Sequence, residues 1–446
     1  MRLCYAAFFA GSVNLLGCTH GGLNDLEDRA PVDSNGQPEP AEGEFSTIFP
    51  SAIGFVEGGN QAMRFVTAGT QPPSLSTFEY GVDGTLVASS LVIDDRVPAS
   101  SSVTMAVAGG DAGRVDGLIA VGGFGDKIEL YEARTGAVGP LHIETLDTSS
   151  CAGGPFENVG ERMTFGQTNV AGADATIDLI ATDGERLIVF ANIDGRPGPP
   201  PDCFVCSYPA TERINGVAMI DHPVDNDIEA DEIVVAVGVI GSGFGFFEII
   251  RGVSISEDSG GVCKTTRTPE LVHPVLEGAE DIGRQMVVED FDGDANETEG
   301  VAFSLEAEGE VIVFLGIGGG SGPEGDPVRL DAVGPDEAFA SVLAVGDVDD
   351  DDKIELLVGD PDVAFEGNEK SGVVHVFSLD GGSSTFGTPL RDSTPEANQR
   401  FGASIAVGEF ALPIGVDEFQ DLAIIGANQE VFTIFAQEST VDPRTL

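Results

Sequence analysis

The chain repeats one apolar pattern seven times. A short apolar run ends near a glycine, and about ten residues later a second apolar run ends in a turn. The first runs begin at residues 65, 118, 179, 233, 301, 356 and 422, so successive units are 53 to 68 residues apart. The second runs begin at residues 77, 128, 187, 244, 311, 373 and 431. Such a period is typical of repeat architectures in which each unit is one supersecondary motif.

Each unit predicts a small antiparallel sheet. An earlier strand opens the unit, as in "FASVLAVGD" (339–347) and "FGASIAVGE" (401–409), and a less regular segment follows the second run. Four-stranded sheets of this kind leave both faces partly apolar, and packing them face to face in a ring buries those faces and leaves only short edges. We therefore predict an all-β, seven-bladed β-propeller over residues 45–446, with six or eight blades as alternatives. An open β-solenoid would need shorter and more uniform repeats.

The apolar segment 233–250 is almost uncharged over eighteen residues, which is near the length of a membrane span. Glycines 238, 241, 243 and 245 interrupt it where the other units turn. It therefore predicts two buried strands of the fourth unit. Its "GSGFGF" stretch is similar to a phosphate loop, but no helix is predicted after it.

The charge limits the choice of partner. The chain has 21 Lys and Arg against 75 Asp and Glu, a net charge of −54. Such an excess repels nucleic acid phosphates and anionic lipid, so no nucleic acid partner is expected. It also favours bound cations that neutralise clustered carboxylates.

The N-terminus predicts export and lipidation. Residues 1–17 have one cation, Arg2, followed by an apolar stretch. The end of this segment, Leu15 to Cys18, resembles the bacterial lipobox, which implies cleavage before Cys18 and acylation of that residue. Thr19 stands where an Asp would imply retention at the inner membrane, so the resemblance favours the outer membrane. An ordinary signal peptide with an incidental cysteine is the alternative. Residues 18–44 are acidic and rich in Pro and Gly, and they predict a flexible tether.

Four cysteines remain within the predicted propeller: Cys151, Cys203, Cys206 and Cys263. In an exported protein they predict two disulfides, with three pairings open. The "CFVC" stretch (203–206) also fits a redox or zinc motif, but no second pair accompanies it.

The units resemble the FG-GAP repeat, which forms the blades of the integrin α-subunit propeller and occurs in bacterial surface proteins. The residues that match its Phe-Gly opening, fully or nearly, are Phe165-Gly166, Phe401-Gly402, Phe339-Ala340 and Ile282-Gly283. An acid recurs eight positions after the opening at Glu57, Asp111, Asp290, Asp347 and Glu409. "VGDP" (358–361) stands for the Gly-Ala-Pro end of the repeat. The resemblance implies a propeller that binds a protein or glycan, with calcium held in loops between strands.

The acidic loop of the sixth unit predicts a calcium site. Its acids occupy relative positions 1, 3, 5 and 9, at Asp347, Asp349, Asp351 and Glu355, and the carbonyl of Lys353 lies at position 7. Hard oxygen ligands in this number suit Ca²⁺ better than Mg²⁺. A solvated acidic turn is the alternative.

The fifth unit predicts a second calcium site. Asp290, Asp292 and Asp294 occupy positions 1, 3 and 5, and the closing acid, Glu299, is one residue late. We assign no metal to the other units, where the spacing is irregular, too short or apolar.

The sequence contains no HExxH, no Gly-x-Ser-x-Gly and no Gly-Lys-Ser/Thr phosphate loop. We therefore predict a binding or scaffold protein of the bacterial surface and not an enzyme. An envelope hydrolase acting on polysaccharide or phosphoester at the propeller channel is one alternative, and a structural subunit of an envelope assembly is another. The oligomeric state is left open. Ring closure is predicted through "EFSTIF" (44–49) or through the tail 441–446.

Overall fold

The structure is a computed structural model, and part of the chain is described. The described residues are 8–9, 12–13, 41–44, 50–57, 63–70, 73–80, 86–93, 96, 104–108, 117–123, 125–133, 140–168, 177–193, 202–220, 232–251, 276–277, 280–291, 299–305, 308–318, 322–323, 326–331, 339–348, 353–365, 367–379, 385–386, 389–391, 395, 397–408, 421–426 and 431–435.

The described chain is almost entirely β-structure. Its first strands are β1 (Phe8–Phe9), β2 (Ser12–Val13), β3 (Ala41–Glu44), β4 (Pro50–Glu57), β5 (Met63–Thr70), β6 (Pro73–Tyr80), β7 (Leu86–Ile93), β8 (Thr104–Ala108), β9 (Gly117–Gly122), β10 (Lys127–Ala133), β11 (Leu141–Asp147), β12 (Arg162–Gly166), β13 (Asp178–Thr182), β14 (Arg186–Ala191) and β15 (Asp202–Ser207). The later strands are β16 (Glu212–Ile220), β17 (Glu232–Val239), β18 (Phe244–Arg251), β19 (Leu276–Glu277), β20 (Met286–Glu289), β21 (Gly300–Leu305), β22 (Glu310–Phe314), β23 (Ile317–Gly318), β24 (Gly322–Pro323), β25 (Val328–Asp331), β26 (Val342–Gly346), β27 (Glu355–Asp360), β28 (Val373–Ser378), β29 (Thr385–Phe386), β30 (Ser404–Gly408), β31 (Asp421–Ile425) and β32 (Val431–Phe435). A short 3₁₀ helix covers Thr148–Ser150.

The strands pair into four-stranded antiparallel sheets, which we number in chain order. These are sheet one (β4–β7), sheet two (β8–β11), sheet three (β12–β15), sheet four (β16–β19), sheet five (β20, β21, β22, β25), sheet six (β26–β29) and sheet seven (β30, β31, β32, β3). Sheets two to six form five propeller blades whose side chains are mostly described. The sequence predicted seven blades. Sheets one and seven are described mainly through backbone pairing.

The first strand of each sheet lies innermost. β8 contacts β12, β12 contacts β16, β16 contacts β20, and β20 contacts β26. Beyond them, β26 contacts β30, β30 contacts β4, and β4 contacts β8. The sheets therefore radiate from a shared axis, as the predicted propeller requires.

The core lies between the sheets, because each central strand buries both of its faces. In β13, Leu179 and Ala181 pack into the cluster shared with sheet two, whereas Ile180 packs into the cluster shared with sheet four. β17 alternates in the same way, with Val235 facing sheet three and Val234 facing sheet five. This two-sided burial explains the continuous apolar runs of the sequence.

Residues 233–250 belong to β17 and β18, which pair with each other along their full length. Among the described residues, no helix is long and apolar enough to cross a membrane.

Neighbouring sheets meet at glycines. A Cβ atom on Gly359, near the end of β27, would lie 2.3 Å from the carbonyl oxygen of Gly402 in the turn that opens sheet seven. A Cβ on Gly216 would lie 1.9 Å from the carbonyl oxygen of Gly283, which opens sheet five. Such distances exclude any side chain, so backbone packs directly on backbone.

The opening turns need left-handed backbone. Gly160, Gly283 and Gly402 have φ of 83°, 74° and 85°, and Ala340 has φ of 68° at the same place in sheet six. The predicted opening of the third unit at Phe165-Gly166 is wrong, because both residues lie inside β12. Val159-Gly160 forms that turn, and the missing Phe concealed it.

The last sheet takes its outer strand from the N-terminal side. β3 pairs with β32, with Ala41 opposite Ile434 and Glu44 opposite Val431. The outer strand of this sheet is therefore 41–44, whereas, of the predicted closing segments, 45–49 and 441–446 lie outside the described residues. The strand β3 occupies the last four residues of the predicted tether.

One disulfide joins two parts of the third unit. Cys151, after the 3₁₀ helix, is bonded to Cys203 in β15, with 5.2 Å between their Cα atoms. Cys206 is also disulfide-bonded, to a cysteine outside the described residues, and Cys263 itself lies outside them. The "CFVC" stretch is therefore engaged in disulfides and is not a zinc pair. Closing a loop with a sequence separation of 52 stabilises the fold by about 4 kcal/mol on the chain-entropy estimate.

The glycine contact between sheets six and seven is testable by Gly359→Ala. We expect a loss of about 3 kcal/mol in the free energy of unfolding, because the new methyl group collides with backbone. The control is Gly367→Ala, where a Cβ meets nothing within 4 Å and φ is 87°. It should cost only the left-handed penalty of about 1 kcal/mol. Urea unfolding measures both, and equal losses would contradict the close approach.

Candidate functional site

The blades have two ends. At the acidic end the first strand of a sheet ends and its second strand begins, which is where the predicted calcium loops lie. At the opposite end, which we call the opening end, each first strand begins and each second strand turns into the third.

The sixth-unit loop starts and ends on paired strands. Asp347 follows β26, and Glu355 begins β27 directly opposite Gly346. The Glu355 carboxylate is fully buried, and its Oε2 accepts a hydrogen bond from the backbone N–H of Val348 at 3.0 Å. Lys353 is half-buried, whereas Asp349 and Asp351 lie outside the described residues. The structure thus places the first and last predicted ligands at the base of one loop.

The fifth-unit loop has the same arrangement. Asp290 follows β20, and Glu299 precedes β21, with Glu289 paired to Gly300 between them. Burial raises the pKa of Glu289. A hydrogen bond from the Asp290 N–H lowers it in part, and the adjacent charge of Asp290 raises it. Asp292 and Asp294 lie outside the described residues. Glu289, which is not one of the predicted ligands, is therefore less readily charged at this loop base.

The third unit shows a related acid that the sequence analysis missed. Asp178 begins β13 and is buried. Its Oδ2 accepts hydrogen bonds from the N–H of Thr168, at 3.0 Å, and from the Thr168 hydroxyl. Its Oδ1 accepts the N–H of Asn192 at 2.9 Å. The carboxylate therefore fixes both neighbouring connections with protein donors.

A sequence signal for this position exists. Asp178 and Glu355 each stand between an Ile and a Leu at the start of the second strand, as "TIDL" (176–179) and "KIEL" (353–356), whereas the "KIEL" at 127–130 lies inside β10, so the signal needs the strand order as well. Both accept the N–H of the second residue after the first strand. The position is thus a carboxylate anchor for the preceding loop, whether or not a metal is bound.

The predicted calcium ligands fit the ion in chemistry. Glu355 and Asp347 are hard oxygen donors held at the two ends of one short loop, which suits Ca²⁺. Within the described ranges, which omit four of the predicted ligands, no group of three or more His, Cys, Asp or Glu is assembled.

The polar cluster of sheet two lacks the geometry of a nucleophilic relay. His142 Nε2 lies 2.7 Å from Glu129 Oε2, and the Thr145 hydroxyl donates to the same oxygen at 2.7 Å. A relay needs the acid on one ring nitrogen and the nucleophile on the other. Here Nε2 faces both groups, with Thr145 at 3.5 Å, so the cluster stabilises the pairing of β10 and β11.

The His375 and Asp360 pair is buried within sheet six. Nε2 lies 3.5 Å from Asp360 Oδ2, and the ring packs edge-on against Phe339. This burial keeps substrate from the pair. His20, His222 and His273 lie outside the described residues.

The opening end is cross-linked between sheets. Arg213 of β16 donates to Glu161, before β12, at 3.0 Å. Arg162 Nε donates to the carbonyl oxygen of Arg284 at 2.7 Å, which joins sheet three to sheet five past sheet four. Between sheets six and seven, Arg400 Nε lies 2.7 Å from Asp362 Oδ1. Polar contacts at the opening end thus join sheets three to five and, separately, sheets six and seven.

An apolar turn stands at the opening end. Between β17 and β18, Ile240 is 57% exposed and Phe244 is 37% exposed. Glu280, in the connection to sheet five, accepts the N–H of Gly241 at 2.9 Å and that of Gly243 at 3.4 Å. The turn is therefore held from outside its own hairpin.

Comparison with known proteins supports the fold. The crystal structure of BBS1N in complex with ARL6DN, soaked with lead, is similar to this chain, with a TM-score of 0.54 and 12% sequence identity. The similarity covers 90% of this chain and 96% of that chain, and at this identity it shows the β-propeller fold alone. No protein-family model and no curated protein matches the chain.

The Asp178 anchor is testable by Asp178→Asn. The amide keeps the size but loses the charge and presents an N–H to donors, so we expect a loss of about 2–3 kcal/mol in the free energy of unfolding. Asp202→Asn, an exposed acid of the same sheet, is the control and should change little. Urea unfolding measures both. A loss below about 0.5 kcal/mol for Asp178→Asn would contradict the anchor.

Proposed function

We propose that the chain is a binding protein of the bacterial envelope, anchored through lipidated Cys18. A seven-bladed FG-GAP-like propeller presents its opening end to a protein partner. Residues 1–17 are removed, and residues 18–40 span the distance from the membrane. The outer membrane is the compartment that Thr19 favours.

The cross-linked opening end carries this proposal. Its arginines are bonded to groups of neighbouring blades, as in Arg213 to Glu161 and Arg162 to the Arg284 carbonyl. A surface ordered before binding pays less conformational entropy on association. Arginine and aromatic side chains are enriched in protein interfaces relative to the rest of a protein surface. The similar BBS1N propeller was crystallised in complex with a protein, ARL6DN.

A ring of seven blades best explains the contacts between the innermost strands of neighbouring sheets. Sheets one and seven contact each other through β30 and β4, and sheet one contacts sheet two through β4 and β8. These contacts continue the arrangement of the five fully described blades. β3 then closes the last blade and joins the propeller directly to the tether.

Calcium is proposed as a stabilising ion in two loops of the acidic end. Asp347, Asp349, Asp351, Glu355 and the Lys353 carbonyl would hold one ion, and Asp290, Asp292, Asp294 and Glu299 a second. The ion supplies positive charge to loops whose carboxylates otherwise repel one another. It leaves the opening end available for the partner.

Binding at the opening end is testable by photo-cross-linking in cells. A photoreactive amino acid replaces Glu185, whose side chain is 74% exposed in the turn after β13. A second variant carries it at Leu141, which is exposed at the acidic end. We expect a discrete protein adduct from position 185 and none from position 141. Adducts at neither position would refute the proposal.

Lipid anchoring through Cys18 is tested separately. Cys18→Ser should move the protein from the membrane fraction to the soluble fraction and abolish incorporation of labelled palmitate. An unchanged membrane fraction would contradict lipid anchoring without affecting the adduct result.

Calcium binding is testable by thermal unfolding of the chain from residue 19 onward. At a hundredfold excess of Ca²⁺ over its dissociation constant, one site should stabilise the fold by about 2.7 kcal/mol. Asp351→Asn should remove most of the increase that the sixth-unit loop contributes. Glu308→Gln, an exposed acid outside both loops, should retain it. An unfolding midpoint that is insensitive to both Ca²⁺ and chelator would exclude the sites.

A further inference from the structure

We propose that the turn from Ile240 to Phe244 is the anchor by which the opening end binds its partner, and that the partner is a positively charged protein with an apolar pocket. This inference rests on the proposed binding function and names its contact point.

The turn is rigid before any partner arrives. Glu280 accepts the N–H groups of Gly241 and Gly243, which both have φ of 71°. The Glu280 carbonyl itself accepts the side-chain N–H of Asn215 at 2.8 Å. The Glu280 carbonyl can come this close to β17 because Gly238 has no side chain. A Cβ atom on Gly238 would lie 1.9 Å from that carbonyl oxygen. Sheet four and the connection to sheet five thus fix the turn jointly.

The other N–H groups of the turn are bonded to Thr211, which precedes β16, and to the turn itself. The Ile240 N–H donates to the Thr211 carbonyl oxygen at 2.9 Å. The Ser242 hydroxyl donates to the Val239 carbonyl at 2.7 Å, and the Phe244 N–H donates to the Ser242 hydroxyl at 3.1 Å. With its backbone N–H groups bonded inside the protein, the turn offers a partner its side chains.

Those side chains are apolar and close together in sequence. Ile240 and Phe244 are two of three large hydrophobic residues of the described chain that are clearly exposed, and the third, Leu141, lies at the acidic end. A preordered apolar projection that fills a partner pocket is the usual form of an interface hot spot. Burial of these two side chains gives binding without a cost in loop ordering.

The rim of the turn is acidic. Glu212 pairs with Val239 at one side, and the Glu280 carboxylate caps the centre. Of the arginines beside these acids, Arg213 follows Glu212 and is engaged with Glu161, and Arg284 follows Glu280 and lies 3.5 Å from Asp281. An apolar tip beside acidic residues is complementary to an apolar pocket framed by Lys and Arg.

Charge also discriminates between the possible binding partners of the turn. A second copy of this chain, with a net charge of −54, and an anionic lipid surface are both repelled. The same long-range field accelerates the approach of a cationic protein. A cationic protein is therefore the occupant that the turn and the whole chain both favour.

The test uses the full-length protein in cells, with the cross-linker at position 185 as reporter. Ile240→Ser and Phe244→Ser should each lower the yield of adduct at least about tenfold. Leu141→Ser, an equally apolar change at the acidic end, should leave it unchanged. The isolated variants should unfold within about 1 °C of the parent, because the substituted side chains are exposed.

The outcomes separate the two proposals. Loss of adduct in both turn variants, together with weaker cross-linking at higher salt and a basic partner identified by mass spectrometry, supports the inference. An adduct that persists in both turn variants overturns the inference and leaves the binding function standing. An acidic partner, a second copy of the chain or a lipid adduct also overturns it. Absence of adduct from the parent protein overturns the binding function itself.

Discussion

The structure depends on the burial of each sheet between its two neighbours. Alternate residues of β13 and β17 pack on opposite sides, so neither face of a central strand meets water. Full burial of one such Val, Leu, Ile or Phe side chain contributes about 1.5–3 kcal/mol. A single four-stranded sheet would expose two apolar faces and would not be stable alone. Stability is therefore shared across interfaces, and each sheet requires the next.

Close packing near the axis explains why the repeat is marked by glycine. The opening turn of one sheet lies against the second or first strand of the previous sheet, as Gly402 does on Gly359 and Gly283 on Gly216. No side chain fits at these points. Glycine therefore recurs for two separate reasons, left-handed backbone in the opening turn and close approach on its neighbour.

The sequence predicts the strands well because strand burial and turns both depend on the type of side chain at each position. It fails where a feature depends on backbone alone. The opening turn at Val159-Gly160 lacks the expected Phe, and the closing strand β3 reads "AEGE", which has no strand signature. β3 is held by backbone pairing to β32, which any residue type with an N–H can supply. The Cys151 and Cys203 pairing likewise depends on a distance in space that no spacing encodes.

The same distinction, between features set by side-chain type and features set by backbone, applies to the candidate sites. The acidic loops were located by spacing, because alternate carboxylates in a short loop have a recognisable pattern. Asp178 was missed because its partners are backbone N–H groups and one hydroxyl, which no motif records. The acid at the start of the second strand is therefore best understood by how its charge is balanced. Asp178 is balanced by donors of its own sheet, two N–H groups and one hydroxyl. Glu355 shares one such donor, the Val348 N–H, and its loop carries several more carboxylates, for which we propose calcium. Blades that look alike in backbone thus differ in chemistry through the number of acids placed in one connection.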